Sequence, residues 1–171
     1  MTNLWTTQSI MKPALLIIDP QNDFFSAGNP NAGSFEATIP VINQAIGLFR
    51  KRGWSIVFVQ HTSNRLPARS QSWLIDERFD CRPTDTRISK TTGNAFWNTG
   101  LDSLLRSIRI DTVVISGYVA EQCVLSTLRG AEERGYQAVL LEGGIAGMDD
   151  RYTQFTMEIS NRISTEGLLA A

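Results

Sequence analysis

Residues 111–135 read DTVVISGYVAEQCVLSTLRGAEERG, and this stretch decides the fold class. Val113, Val114 and Ile115 form an apolar, β-branched run too short for a helix, so they read as a buried strand. Gly117 breaks the run. From Glu121 the spacing turns helical: Val124, Leu128 and Ala131 share one face, with Arg129, Glu132 and Glu133 outside. Gly135 closes the helix. Cys123 then sits in the first helical turn, directly beyond the carboxyl end of a buried strand. Unpaired amide N–H groups and the positive end of the helix dipole point there and favour a thiolate. A free cysteine is ordinarily core. One at the ligand edge of an open α/β sheet invites a chemical reading.

The same alternation recurs on both sides. Ala14–Ile18 is an unbroken apolar run ending in Asp19-Pro20, a strand buried on both faces with a carboxylate at its end. Gln21–Gly33 is a polar, Gly/Asn/Pro-rich loop carrying Phe24 and Phe25. Thr38 opens a helix with Ile42, Ala45, Ile46 and Phe49 inward, ending at Lys51-Arg52-Gly53. Trp54–Val59 is a second buried strand. His61–Pro83 is a long irregular connection, a length that serves function or builds an interface in a compact domain. Thr86–Ser89 predicts a short third strand ending at Lys90, and Thr91–Gly100 is turn-rich. Leu101, Leu104, Leu105 and Ile108 mark the next helix. Ala138–Leu141 predicts another strand, and Asp149-Asp150 fit the start of a helix running to about Arg162. Thr165–Leu169 fits a short edge strand.

Alternation of this kind implies a doubly wound, mainly parallel sheet of about six strands, with helices on both faces and right-handed crossovers. This is a Rossmann-like, three-layer α/β arrangement. No repeat, low-complexity tract or linker interrupts it. Residues 1–171 therefore read as a single domain, with a loose polar arm over 1–12 that carries Trp5.

Composition excludes several function classes. Hydrophobic residues make up 42% and charged residues 19%, ordinary values for a globular protein. With 16 Lys+Arg against 17 Asp+Glu the net charge is −1, so neither nucleic acid nor an anionic membrane surface is an expected partner. MTNLWTTQSIMKP lacks the charged and apolar regions of a signal peptide. No apolar run approaches the ~18 residues of a membrane span. Two cysteines, Cys81 and Cys123, are too few for a disulfide framework, and a cytoplasmic location is expected.

Asp19, Lys90 and the Cys123 turn share one address, the carboxyl end of a predicted strand, and a parallel sheet gathers such ends at one edge. A thiol, a group to take its proton and a cation to favour the anion are the needs of nucleophilic catalysis. Their settings also match a family pattern. Asp19-Pro20-Gln21-Asn22-Asp23-Phe24 resembles the D-x-Q-N-D-F opening of the isochorismatase-like cysteine hydrolases. Ser89-Lys90 with Asn94-Ala95-Phe96 and Thr99-Gly100-Leu101 is similar to their S-K-x-x-x-S-A-F-x-x-T-x-L segment. Gly117–Val124 resembles their G-x-x-T-x-x-C-V nucleophile turn. The three blocks fall in family order.

The resemblance implies a catalytic triad of Cys123, Asp19 and Lys90 acting in amide or related hydrolysis, with Asp19 as proton acceptor and Lys90 holding both anions. It places a non-proline cis peptide at Tyr118–Val119 and an oxyanion hole at the N–H groups of Val119 and Cys123. It implies a small-molecule substrate and a homodimer or larger homo-oligomer. Two departures stand out. Ala120 replaces the usual Thr, and Gly130 stands where many members carry Asp. Nicotinamidases of the family bind a divalent metal through an Asp/His cluster after the second strand. Here the sole histidine is His61, with no carboxylate near it in sequence, so neither metal nor cofactor is expected. Phe24, Trp73, Phe96, Tyr118 and His61 are candidate pocket residues beside the thiol. Cys81 has no partner pattern and reads as incidental.

The activity these observations favour is C–N bond hydrolysis of a small amide or N-carbamoyl compound through a thioester on Cys123. Vinyl-ether hydrolysis of isochorismate is the runner-up, set back by Cys123, which isochorismatases of the family lack as it is generally described. A phosphoacceptor receiver built on Asp19 and Lys90 is set back by a carboxylate placed on the first strand itself. A non-catalytic redox sensor would use Cys123 only as an oxidisable thiol.

Overall fold

The apolar run at 14–18 becomes strand β1 (Pro13–Ile18), buried at every position. In this computed structural model, which describes residues 12–170, β1 lies at the middle of a sheet between two parallel neighbours. The arm expected over 1–12 lies outside the described residues except for Lys12, whose N–H donates to the Asp111 carboxylate. The other strands are β2 (Ser55–His61), β3 (Thr86–Lys90), β4 (Thr112–Tyr118), β5 (Gln137–Ala146) and β6 (Arg162–Ile163). They form a six-stranded sheet in the order β3-β2-β1-β4-β5-β6, with every pairing parallel.

Strand alternation sorts the core into two layers. Leu15 and Ile17 face α1 (Ala32–Glu36) and α2 (Ile39–Lys51), packing on Phe35, Ile42, Ile46 and Phe49. Ala14, Leu16 and Ile18 face α3 (Leu101–Ser107) and α4 (Leu125–Glu132), packing with Leu101, Leu105, Val124 and Leu128. α5 (Asp150–Glu158) joins this second layer through Met157. Its start is capped by Asp149, whose side chain accepts from the Arg151 N–H at 2.8 Å. The result is the doubly wound, three-layer α/β fold.

The structure corrects several boundaries. Thr165–Leu169 is not an edge strand; α6 (Thr165–Ala170) occupies it, and the edge is β6. Ser164 starts this helix, its Oγ accepting from the Gly167 N–H at 3.1 Å, while Leu168 docks into the α2 layer. α5 consequently stops at Glu158, and the Asn161 carbonyl that follows accepts from the Leu140 N–H. Within the supposed loop at 21–33, Asn22–Phe25 forms a 3₁₀ turn and α1 begins at Ala32. Beyond β4 the chain makes a π turn over Ala120–Val124 before α4 proper. Among the described residues no helix is long and apolar enough to cross a membrane.

Candidate active site

In this strand order the connections reverse direction between β1 and β4, and in open α/β sheets a ligand crevice opens beyond the carboxyl ends at such a point. Asp19 leaves β1 there and the π turn leaves β4. Gly117 makes their approach possible. It pairs with Ile18 at φ +103, and a Cβ on it would run into the Ile18 backbone. Asp19 takes a left-handed φ of +51, sparsely populated for a non-glycine residue, while its N–H still donates to the Val59 carbonyl at 2.8 Å.

Lys90 ends β3, two strands away from β1, and its side chain reaches across the end of β2. Its Nζ meets Asp19 Oδ2 at 2.8 Å, and both side chains are buried. The same Nζ lies 3.2 Å from Cys123 Sγ, donates to the Thr92 carbonyl at 3.1 Å, and is 3.4 Å from His61 Nδ1. The Thr92 segment is pinned in turn by α4, where Thr127 Oγ accepts from the Ala95 N–H at 3.0 Å. The Tyr118–Val119 peptide bond is cis.

Burial raises the Asp19 carboxyl above its usual range, against the weaker pull of the Lys90 ammonium. Burial, and then the Asp19 charge, push the Cys123 thiol up to about 12. The resting sulfur is therefore a thiol, not the thiolate that a helix start suggested. Desolvation can shift a buried group by up to about 3–5 units, whereas a helix terminus is worth at most about 2 kcal/mol, or roughly 1.5 units. Burial and the Lys90 charge together hold the His61 ring below its usual range, as the neutral base. Asp19 Oδ1 is buried without a hydrogen bond of standard geometry, while the Cys123 thiol lies close enough to the carboxylate to interact with it.

A family model described as Isochorismatase domain matches residues 13–164. The chain belongs to the isochorismatase family. The isochorismatase family protein YrdC of Bacillus subtilis is 30% identical over 148 residues, which cover 82% of this chain and 78% of that protein. Ureidoacrylate amidohydrolase RutB of Variovorax paradoxus is 30% identical over 167 residues, covering 75% of this chain and 66% of RutB. The crystal structure of N-carbamoylsarcosine amidase from Thermoplasma acidophilum superposes with a TM-score of 0.80 and 25% identity, over 91% of this chain and 98% of that one. The protein is thus an isochorismatase-family hydrolase.

Several pocket expectations need correction within this isochorismatase-family site. Tyr118 is fully buried on the α2 side, its hydroxyl bonded to Thr38 at 2.6 Å and to the Phe35 carbonyl at 3.0 Å. It is a core residue, because its place in the β4 alternation turns it away from the thiol. Phe96 is also core, stacked on Tyr136 with ring centroids 5.7 Å apart in the α3/α4 layer. Phe24 is half-buried against Phe35 and Tyr118. Trp73 stays near the site: its indole donates to Thr62 Oγ at 2.8 Å, one residue beyond His61.

Gln21, which the spacing argument left without a role, ties this edge together. It is fully buried, accepts from the His61 N–H at 2.7 Å, and donates to the His61 and Trp73 carbonyls at 3.1 and 2.9 Å. Its sequence signal is its place in the D-x-Q-N-D-F block, two residues after Asp19.

His61 is not without a carboxylate in space. Donor atoms of Asp19, His61 and Cys123 lie within 4.8 Å of one another. Lys90 Nζ contacts all three, so the cation this cluster is built around is the ammonium. A resident divalent ion does not fit these donors unless Lys90 leaves.

Proposed function

We propose that the protein is a metal-independent cysteine hydrolase that cleaves the C–N bond of a small amide or N-carbamoyl compound through a thioester on Cys123. One observation carries this reading: Lys90 Nζ touches Asp19 Oδ2 at 2.8 Å and Cys123 Sγ at 3.2 Å, joining residues from three separate strand ends. Two relatives are named for amide hydrolysis, which supports the bond class.

The chemistry follows from the proton inventory. The site rests with a neutral thiol beside a carboxylate whose proton affinity burial has raised. As substrate enters, Asp19 takes the thiol proton and the sulfur bonds to the carbonyl carbon. The carbonyl π pair moves to oxygen, where the N–H groups of Val119 and Cys123 receive it. One such donor is worth about 2.7–4 kcal/mol. Asp19 then returns its proton to the nitrogen as the C–N bond breaks, leaving a thioester that water hydrolyses. Lys90 holds the carboxylate and favours the anionic sulfur. Both cysteines are free, and a reducing cytoplasm suits a thiol nucleophile.

An ammonia-release screen over small amides and N-carbamoyl compounds tests the proposal, with wild type and Cys123→Ala side by side. Wild type should turn over at least one compound, and the variant should lose about a thousandfold or more of that rate. Undiminished turnover by the variant would sink the thioester path.

A further inference from the structure

His61 ends β2 inside the active site, yet the hydrolytic cycle gives it no step. Gln21 fixes its backbone on both sides, accepting from its N–H and donating to its carbonyl. Its ring is half-buried, and Nδ1 lies 3.4 Å from Lys90 Nζ. An ammonium has three N–H donors and no lone pair, so a proton on Nδ1 would point one donor at another. The Thr92 carbonyl is the competing acceptor beside the ring. It already accepts from Lys90 at 3.1 Å, and the ring makes no hydrogen bond of standard geometry to it. Burial and the Lys90 charge keep the imidazole neutral, with one proton to place. These contacts put that proton on Nε2.

Among the described residues nothing bonds to Nε2, and the neighbouring side-chain donors are all spent. Four acceptors crowd the three N–H groups of Lys90: Asp19 Oδ2, the Thr92 carbonyl, Cys123 Sγ and His61 Nδ1. The Trp73 indole is taken by Thr62 Oγ, and the Gln21 amide by the His61 and Trp73 carbonyls. Donor atoms of His61, Asp19 and Cys123 lie within 4.8 Å of one another, so the free N–H stands a few bonds from where a carbonyl carbon would meet the sulfur. We propose that His61 recognises the substrate, its Nε2–H donating to a second oxygen acceptor, a carbonyl or carboxylate set a few bonds from the scissile carbonyl. This rests on the amide-hydrolase reading and names a class within it: dicarbonyl amides and N-carbamoyl acids, not plain alkyl amides. A compound without that oxygen would strip water from the donor and return nothing, which is how a polar site rejects a close analogue.

Two measurements test the proposal, neither of which needs turnover. His61 is the sole histidine, so nitrogen NMR of the wild-type ring gives one pair of signals; Nε2 should carry the proton and Nδ1 the lone pair. Calorimetry on Cys123→Ala, which still leaves Lys90 three acceptors, then reads recognition alone. The ligands are matched: N-carbamoylglycine against N-ethylurea, and succinamic acid and acetoacetamide each against butyramide. In at least one comparison the compound with the second oxygen should bind about tenfold tighter or more. Adding His61→Asn keeps an acceptor for Lys90 but puts no N–H at the Nε2 position, and should bring that pair within about twofold. His61→Gln, whose amide reaches that position, should keep part of the preference. A proton found on Nδ1 overturns the proposal, even where both variants fail to fold. So does a preference that survives His61→Asn, or one that appears in no pair. Binding as expected without hydrolysis of any ligand by wild type would count against the thioester path and leave the recognition standing.

Discussion

Cys123 keeps its proton because two influences outweigh Lys90: burial, and the Asp19 carboxylate beside it. Removing the carboxylate should therefore separate nucleophile formation from turnover. In Asp19→Asn the like charge is gone and Lys90 remains 3.2 Å from the sulfur, so the thiolate should form at lower pH than in wild type. Iodoacetamide labelling of Cys123 should shift to lower pH, while amide turnover falls by about a hundredfold or more for want of a proton acceptor. Labelling that moves to higher pH would show that Asp19 had been stabilising the thiolate. The sequence motifs show that these side chains belong together; they do not show which atom carries the proton. That follows from desolvation, which only the folded packing defines.

The segments around these residues are held by backbone geometry, and glycines mark where. Gly117→Ala would place a Cβ against the Ile18 backbone at φ +103, where non-glycine conformational strain alone costs about 1–3 kcal/mol. We predict a loss of at least about 3 kcal/mol in urea unfolding, because the clash adds to the strain. Gly130 shows a different logic. A Cβ there would meet the Asn94 side chain, whose Oδ1 also accepts from the Phe96 N–H at 2.9 Å. Asn94 stands where the family pattern has Ser, and Gly130 where many members have Asp, so the larger amide fills space that a carboxylate would take. Gly130→Asp alone should destabilise by about 1–3 kcal/mol, and adding Asn94→Ser should recover most of the loss. Strictly additive losses in thermal melts would break this coupling. Most of the strands and longer helices were legible from apolar runs and their period. What stayed hidden lay in polar segments, where one hydrogen bond decides. Ser164 turned 165–170 into a helix, and Gln21 fixed the 61–73 connection through three hydrogen bonds. Replacing Gln21 by Leu should cost about 2–4 kcal/mol, since buried backbone partners lose their bonds, and should lower turnover with it.

For the molecule as a whole, the site works against the fold that carries it. Both core layers are apolar, yet Asp19 and Lys90 sit between them at 1% exposure. A buried ion pair rarely stabilises relative to a packed apolar pair, but removing one partner leaves a charge stranded, at about 3–5 kcal/mol. Lys90→Met should show that loss at neutral pH. Its pH dependence has a definite sign. In wild type the Asp19 carboxyl is raised above 3.8, so between 3.8 and its folded value the native state holds a proton that the unfolded chain has released. Stability from this group is complete below 3.8 and falls as pH rises through that window. Lys90 acts to lower the Asp19 value, so Lys90→Met should raise it further and widen the window. The variant should then recover stability on acidification more steeply than wild type. Urea midpoints measured from about pH 4 to about pH 8 would show this, and a deficit independent of pH would mean that the carboxylate is not desolvated. The double variant Asp19→Leu with Lys90→Met carries no buried charge at this edge. It should lose the pH dependence and unfold at or above the wild-type midpoint while hydrolysing nothing, which is the outcome expected if the ion pair is kept for chemistry rather than for stability.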